Sequence, residues 1–317
     1  MTNAIRKTVE RTDEERLLAE RVSRTLGGEY EVVEPLGRGG MGQVWLAWDW
    51  SNGREVALKV LDPMLATSLE NRERFRREAL IAARFPHPHI VPCFEFRCDR
   101  KAVVAVMQYV RGEALERRLR GGRPLDPDFA ERVLVPMADA LAHLHRHGVI
   151  HRDVKPSNIL LRAEDGRPFL TDFGIATLLT SDQSRAEIVR RFGTPEFMAP
   201  EQAAGDCNAD HRSDIYSLGL VGFYALAGRL PFRGGGLALM AQRVALDVPP
   251  LCSWAPHVSP ALGRVIDRCL AREPRRRWRD AGALRDALAR AALSDDELTD
   301  GAGWSAFWRR MRRSRRS

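Results

Sequence analysis

The stretch HRDVKPSN at residues 151–158, followed by DFG at residues 172–174, decides the fold. In the first run, Asp153 can accept a proton from a hydroxyl group, and Asn158 can ligate a metal ion. In the second run, Asp172 can hold Mg²⁺ against a polyphosphate. A three-residue match often arises by chance, but two such runs in this order, about twenty residues apart, favour phosphoryl transfer from ATP.

A glycine-rich loop, LGRGGMGQV, precedes these motifs at residues 36–44. Its spaced glycines lack a Cβ, so that backbone N–H groups can approach phosphate oxygens; they are Gly37, Gly39 and Gly42. The loop lies between two strand-like runs, as a hairpin that covers phosphates should. A dinucleotide-binding fold would need a helix after the last glycine. QVWLAW is a poor helix start and a good strand, so we reject that alternative.

The run EVALKV at residues 55–60 places Lys59 in an apolar, β-prone strand, where an ammonium group is costly unless anions neutralise it. Residues 70–84, ENRERFRREALIAAR, carry apolar side chains at helical spacing and predict a helix. Glu78 lies at the edge of that apolar stripe and is the preferred ion-pair partner of Lys59, with Glu73 as the alternative. The competing interpretation is a solvated helix that carries an incidental glutamate.

These motifs together make the chain resemble the bacterial eukaryotic-type (Hanks-type) serine/threonine protein kinases, whose glycine loop commonly reads GxGGMG. The resemblance covers about residues 30–290 and implies an α+β, bilobal protein-kinase fold. A small β-rich N-lobe with one key helix would precede a larger, mostly helical C-lobe. The expected division is a charged N-terminal lead (1–29), an N-lobe (30–108), a C-lobe (109–292) and a tail (293–317) that is first acidic and then rich in Arg and Trp.

The resemblance also implies a function, the transfer of the γ-phosphoryl group of ATP to Ser/Thr hydroxyls of proteins, including the chain itself, in bacterial signalling. The implied catalytic set is Asp153 as the base, Lys155 at the γ-phosphate, Lys59 as the phosphate clamp and Glu78 as its partner. The implied ligands of Mg²⁺, or of Mn²⁺, are Asn158 and Asp172. The glycine loop, the hinge and the walls of the adenine site would bind ATP through Leu36, Gly37, Gly39, Gly42, Val44, Ala57, Lys59, Met107, Gln108, Tyr109, Val110 and Leu160.

Further positions refine the resemblance. Lys155 stands where serine/threonine kinases carry a lysine, and Thr194 matches the threonine that bonds the catalytic Asp and Lys in that group. Glu201, in MAPE at residues 198–201, would pair with Arg277. Asp214 resembles the buried anchor that holds the catalytic loop from beneath.

The activation segment departs from the pattern of the related bacterial kinases. Arg152 could bind a phosphate there, and the candidate acceptors are Thr177, Thr180, Ser181 and Ser184. The stretch AEIVRRF at residues 186–192 contains no hydroxyl group, although related bacterial kinases often carry threonines at this point. Two hypotheses are open for Glu187: it substitutes in part for a phosphate near Arg152, or it is a solvated loop residue.

Composition fits a globular protein, with 317 residues of which 44% are hydrophobic and 29% charged. The N-terminal sequence lacks the apolar core of a signal peptide, and the longest apolar stretch, residues 215–227, falls short of the roughly 20 residues that a membrane span needs.

The cysteines show no paired spacing and indicate reduced thiols in a cytoplasmic protein; they are Cys93, Cys98, Cys207, Cys252 and Cys269. No cysteine or carboxylate cluster accompanies the alternating histidines 143, 145 and 147, so we reject a zinc site.

The two ends of the chain have open alternatives. The lead is expected to be helical, with Leu17, Leu18 and Val22 in a weak apolar stripe, and it either docks on the N-lobe or is mobile. The tail GAGWSAFWRRMRRSRRS, residues 301–317, combines three aromatic residues with arginines and helps to raise the net charge to +8. It favours peripheral binding to an anionic membrane at the inner face over nucleic acid, while a solvated or packed basic tail is the competing interpretation.

The sequence favours an active protein kinase over three other function classes. A scaffold without catalysis would be marked by loss of a key residue, and Lys59, Asp153, Asn158 and Asp172 are all present. A nucleic-acid-binding protein would explain the pI of about 9.7, but no recognised nucleic-acid motif occurs. Small-molecule kinases use similar motifs, but the complete glycine loop and the GT and APE elements favour protein substrates. A homodimer through the N-lobe is known in the family and is a possible assembly.

Overall fold

The computed structural model describes residues 12–100, 102–173, 195–206 and 208–296. Packing divides these residues into two compact units. We refer to residues 12–113 together with 160–173 as the first unit, and to the remaining described residues as the second unit.

The first unit extends beyond the boundary expected after residue 108, because a later part of the chain pairs with it. The backbone N–H of Val91 donates to the carbonyl oxygen of Leu170 at 3.0 Å, and the N–H of Ala163 donates to the carbonyl of Arg111 at 2.8 Å. Strands β6 to β8 form a three-stranded sheet in that order; they are β6 (Gly112–Ala114), β7 (Ile159–Arg162) and β8 (Pro168–Leu170).

A five-stranded antiparallel sheet forms the body of the first unit, in the order β1-β2-β3-β5-β4. Its strands are β1 (Tyr30–Gly39), β2 (Gly42–Asp49), β3 (Arg54–Leu61), β4 (Cys93–Cys98) and β5 (Val103–Gln108). Successive side chains of a strand point to opposite faces of a sheet. On β3, Val56, Leu58 and Val60 are therefore on one face, and Ala57 and Lys59 are on the other.

Helix α1 (Asp13–Thr25) packs on the face of the sheet that carries Val56, Leu58 and Val60. Thr12 caps the helix: its side chain accepts from the backbone of Glu15, and the Glu15 side chain accepts from the backbone of Thr12. Leu18, Val22 and Leu26 are buried in the same core as the three β3 residues, at 7%, 1% and 1% exposure. Of the two alternatives for the lead, the structure shows the docked one for this helix.

Helix α2 (Leu69–Arg84) belongs to the first unit and packs against β4. Ser68 begins it, because the Ser68 hydroxyl accepts a hydrogen bond from the backbone N–H of Asn71. Its buried residues lie at helical spacing and are Phe75, Glu78, Ala79 and Ala82. The Phe75 ring lies 6.3 Å from the ring of Phe96 on β4, which fixes the face that α2 turns to the sheet.

The second unit is mostly helical, so that the two units together confirm the predicted α+β class. Its helices are α3 (Leu115–Leu119), α4 (Pro127–Arg146), α5 (Pro200–Ala203), α6 (Arg212–Ala227), α7 (Gly236–Ala245), α8 (Pro260–Cys269) and α9 (Ala281–Asp296). Helix α6 is buried around most of its circumference, between α4 and α8, which explains its long apolar sequence. Nowhere in the described ranges does a helix combine the length and apolar character needed to cross a membrane.

Candidate active site

The first unit carries a buried ammonium group between two carboxylates. Lys59 Nζ lies 2.5 Å from Glu78 Oε1 and 2.8 Å from Asp172 Oδ1. The side chains of Lys59 and Glu78 are 14% and 9% exposed, whereas that of Asp172 is 41% exposed. The alternative glutamate, Glu73, instead forms exposed ion pairs within α2, one of them with Arg77. The structure therefore places Glu78, and not Glu73, on Lys59.

Electrostatics keep Lys59 protonated. Burial by itself disfavours the ammonium, but the attraction of Asp172 and then of Glu78 outweighs it, so that the pKa of Lys59 lies above its ordinary value. The group can therefore present a fixed positive charge to an anion at any physiological pH. Asp172 has a φ of 57°, which is uncommon for a residue with a Cβ and shows that its backbone is held in a left-handed conformation.

The glycines of the loop are required for different reasons. A Cβ on Gly42, whose φ is 151°, would lie 1.9 Å from the carbonyl oxygen of Val60, so that the close approach of β2 and β3 excludes any other residue. In contrast, no described atom lies within 4 Å of the position that a Cβ would take on Gly37 or Gly39. Packing of the described protein thus does not explain these two glycines, and both are exposed on β1. Their main chain has the access that a bound polyphosphate would need.

The residues predicted to surround adenine come from neighbouring strands. Ala57 on β3 is the cross-strand partner of Met107 on β5, and Val44 on β2 is the partner of Lys59. Met107 and Val110 are buried, at 7% and 8% exposure. Leu36 is exposed, whereas Val44, Ala57, Tyr109 and Leu160 are half-buried. The N–H of Gln108 donates to the carbonyl of Pro92 at 3.0 Å, so that this hinge amide is already used within the protein.

The second unit holds the other predicted catalytic residues in one short loop. Asp153 Oδ2 accepts from Lys155 Nζ at 2.8 Å and from Asn158 Nδ2 at 2.9 Å. Asn158 Nδ2 also donates to the carbonyl oxygen of Asp153 at 2.8 Å. Asn158 is 4% exposed, while the Asp153 and Lys155 side chains keep exposures of 36% and 32%. The Asp153 carboxylate is therefore fixed in direction and still accessible to a hydroxyl group.

A buried carboxylate supports this loop. Asp214, in the first turn of α6, accepts from the backbone N–H groups of Arg152 at 2.7 Å and His151 at 2.8 Å. Its Oδ2 also lies 2.8 Å from His145 Nε2. Burial would raise the pKa of Asp214, but the contact with His145 and the charge and N–H of His151 outweigh it, so that the pKa lies below its usual range. Arg152 has a φ of 66°, and the contacts that Asp214 makes with the N–H groups of His151 and of Arg152 itself hold this strained turn.

Sequence reasoning missed His145 as a member of the site. It was grouped with its neighbours His143 and His147 as a rejected zinc pattern, yet only its position on the inner side of α4 brings it to Asp214. His147 Nδ1 instead lies 2.8 Å from the carbonyl oxygen of His143. In the part of the chain that the structure describes, no group of three or more His, Cys, Asp or Glu side chains is arranged to hold a metal ion.

Helix α5 is tied to the rest of the second unit by Glu201. Both oxygens of Glu201 accept from the guanidinium of Arg277 at 2.7 Å, and the Arg277 side chain is 0% exposed. Ser213 Oγ donates to Glu201 Oε1 at 2.7 Å. On the same helix, Gln202 Nε2 donates to the carbonyl oxygen of Arg152 at 3.2 Å. Helix α5 is thus in direct contact with the loop that carries Asp153.

Several predicted residues lie outside the described residues. They include Gly174 of the DFG motif and the tail 301–317. The same holds for the candidate regulatory residues of the activation segment: Thr177, Thr180, Ser181, Ser184, Glu187 and Thr194.

Comparison with known proteins matches the Protein kinase domain family over residues 30–288. The serine/threonine-protein kinase pkn2 of Myxococcus xanthus is 38% identical, over 90% of this chain and 35% of that protein. PrkC of Bacillus subtilis is 34% identical, over 88% of this chain and 43% of that protein. The solved PknI kinase domain of Mycobacterium tuberculosis has a TM-score of 0.66 and 32% identity, and covers 83% of this chain and 96% of its own. The chain thus spans less than half the length of these two full-length relatives.

Proposed function

Because the chain belongs to the protein kinase domain family, we propose that it transfers the γ-phosphoryl group of ATP to serine or threonine hydroxyls of proteins. The observation that carries this proposal is the fixed but accessible Asp153 carboxylate, held by Lys155 and Asn158. A scaffold without catalysis gains nothing from a directed carboxylate of this kind, whereas phosphoryl transfer needs one next to the acceptor hydroxyl.

Lys59 would bind the phosphates of ATP as a fixed positive charge. Its contacts with Glu78 and Asp172 orient the ammonium before any substrate arrives, so that little reorganisation remains during the reaction. Gly37 and Gly39 would let main-chain N–H groups approach the phosphates from the hairpin, since side chains there would occupy that space. These groups position the phosphates and neutralise charge, which is most of what catalysis of phosphoryl transfer requires.

Asp153 would orient the acceptor hydroxyl and receive its proton. Lys155, 2.8 Å from Asp153, would place a positive charge beside the reacting group. The lysine at this position and the match of Thr194 to the serine/threonine group favour Ser or Thr as acceptor over Tyr.

The family implies a divalent cation, and Asp172 in the first unit and Asn158 in the second each offer an oxygen donor of the kind that such a cation takes. Asp172 supplies a carboxylate that stays 41% exposed although it contacts Lys59. Asn158 supplies a carboxamide whose nitrogen is committed to Asp153, so that its oxygen is the atom available to a cation. Oxygen donors of this type suit Mg²⁺, and also Mn²⁺. When bound, such an ion supplies neutralisation of the charge on the phosphate oxygens.

The test is incubation with Mg²⁺, labelled ATP and a generic basic protein, with Asp153→Asn as the control. We expect label on the added protein or on the chain itself, and its loss in the Asp153→Asn variant. Mass spectrometry then assigns the labelled residue to Ser or Thr. Equal labelling by both forms, or none by either, contradicts the proposal.

Regulation and localisation are proposed from the sequence. For Glu187 two hypotheses stay open, partial substitution for a phosphate near Arg152 or a solvated loop residue. The activity of Glu187→Ala, compared with that of a variant in which Thr180, Ser181 and Ser184 are all alanine, decides between them, and unchanged activity of Glu187→Ala contradicts the substitution. We also propose a cytoplasmic protein that binds the anionic inner membrane face through residues 301–317. Equal binding of anionic liposomes by the chain and by a version ending at Asp300 would contradict that proposal. A homodimer through the N-lobe stays a prediction.

A further inference from the structure

Arg243, on α7, is a buried arginine that contacts the main chain of the segment before α5. Its Nη1 donates to the carbonyl oxygen of Met198 at 2.8 Å, and its Nη2 donates to the carbonyl oxygen of Glu196 at 2.7 Å. The residue is 1% exposed, and its guanidinium lies about 6 Å from the ring centroids of Tyr216 and Phe232. The planar guanidinium of Arg243 thus donates two hydrogen bonds to two carbonyl groups of the short segment 196–198.

The charge of Arg243 is not neutralised in the usual way. Among the described residues, no carboxylate lies within ion-pair distance of its guanidinium, in contrast to Arg277 with Glu201. Burial lowers the pKa of Arg243, yet an arginine keeps its proton in a protein, so that the two carbonyl dipoles, the aromatic faces and the charge of Glu196, which lies beyond ion-pair distance, together offset the burial of this charge. Packing alone would be served better by an apolar side chain of this size. The contribution of Arg243 beyond packing is that it holds the main chain of residues 196–198 in place.

That main chain is linked to the catalytic loop through α5. The side-chain oxygen of Gln202 accepts from the N–H of Ala199 at 3.0 Å, while its Nε2 donates to the carbonyl of Arg152, the residue before Asp153. Residues 196–198 therefore stand at a set distance from the proposed base. The segment is thus connected through Gln202 to the residue that precedes Asp153, the carboxylate that an acceptor hydroxyl would have to reach.

We propose that Arg243 is a positioning residue for the protein substrate. It holds the backbone of residues 196–198 in place, and the residues of the substrate next to the acceptor Ser or Thr bind on that backbone. The inference rests on the proposed function and deepens it, since it assigns the affinity for protein to a residue remote in sequence. The phosphate-binding groups Lys59, Gly37 and Gly39 belong to the first unit, so that we expect ATP binding not to depend on the hydrogen bonds of Arg243.

The test compares Arg243→Met, which keeps the length and apolar stem of the side chain but removes both donors, with Arg243→Lys, which keeps the charge but cannot span two carbonyls. Arg285→Met is the matched control, because Arg285 is also partly buried in the second unit, on α9, where it contacts Asp139 at 2.7 Å. Steady-state rates are measured against myelin basic protein at saturating ATP, and against ATP at saturating protein. Hydrogen exchange is followed at the amides of residues 196–202.

For Arg243→Met we expect KM for the protein to rise about tenfold, with kcat and KM for ATP changed less than about threefold, because the lost contacts shape only the surface for the protein. Exchange at residues 196–202 should speed up, Arg243→Lys should fall between wild type and Arg243→Met, and Arg285→Met should leave KM unchanged. An unchanged KM for the protein, a matching rise in KM for ATP, or unchanged exchange overturns the inference. Should Arg243→Met not fold, the same readings on Arg243→Lys decide. Absence of transfer by the wild type overturns the proposed function itself, whereas transfer with unaltered KM in the variants overturns the role of Arg243 alone.

Discussion

Truncation of Leu26 tests whether the segment before the family domain is part of the first unit. Leu26 follows α1 and is 1% exposed among side chains of the sheet. Leu26→Ala removes three carbons, and at about 0.8 kcal/mol each their transfer accounts for about 2.4 kcal/mol. With the cavity that is left, the free energy of unfolding should fall by about 3 kcal/mol.

Leu17 provides a matched control, because it lies on α1, which Leu26 follows, and is 62% exposed. Leu17→Ala should change the free energy of unfolding by less than about 0.5 kcal/mol. Urea unfolding followed by circular dichroism gives both values, and hydrogen exchange at the amides of β2 and β3 reports on the first unit specifically. If Leu26→Ala and Leu17→Ala gave the same value, α1 would not be packed on the sheet and the reasoning would be refuted.

Three further substitutions test the site and its supports. Glu78→Gln removes one of the two carboxylates on the β3 lysine and should lower kcat/KM for ATP at least about tenfold in initial-rate assays, while Glu73→Gln on the same helix should not. Arg277→Met leaves the Glu201 carboxylate buried without its partner and should cost about 3–5 kcal/mol in urea unfolding; a loss below about 1 kcal/mol would contradict this. Since the folded pKa of Asp214 is depressed, its ionised form adds stability above the unfolded pKa of about 3.9, and this is lost as pH falls through the folded pKa. Stability of Asp214→Asn should therefore fall less below about pH 4 than that of wild type, and parallel acid curves would argue against the assignment.

Local chemistry made part of the site predictable from sequence. A lysine inside an apolar strand needs anions, and a glutamate at the edge of a helical apolar stripe can reach into a core; the structure brings Lys59 and Glu78 together. The loop from Asp153 to Asn158 is short, so that its contacts follow from neighbouring residues. These features need little information from distant parts of the chain.

Features that depend on distant partners were not predictable. In the lead, Leu17 was part of the expected apolar stripe but is exposed, whereas Leu26 lies beyond the stripe and is buried, because the sheet selects the face that α1 turns inward. Arg243 reads as a surface arginine in ALMAQRVALD, and only the carbonyls of Glu196 and Met198 explain its burial. Periodicity reports which side of a helix is apolar, but it does not report what lies opposite a buried charge.

Three buried charged residues of the second unit share one property, which explains why apolar residues have not replaced them. Asp214, Arg243 and Arg277 all act, directly or through Glu201, on the main chain of the catalytic loop or of the segment before and within α5. A buried ion pair is weak evidence for stability, since apolar residues of the same volume often serve as well. Apolar residues cannot, however, hold N–H and C=O groups in a set direction.

Arg152 shows most directly how hydrogen bonds to a buried carboxylate offset the cost of backbone strain. Its left-handed backbone, with a φ of 66°, costs on the order of 1 kcal/mol or more, and it persists only where its surroundings enforce it. The two N–H groups that donate to Asp214 contribute about 1.5–3 kcal/mol each, because the acceptor is charged, and together they exceed that cost. The strained turn aims the next residue, Asp153, so that the buried carboxylate of Asp214 sets the direction of the catalytic loop in addition to the stability that it contributes.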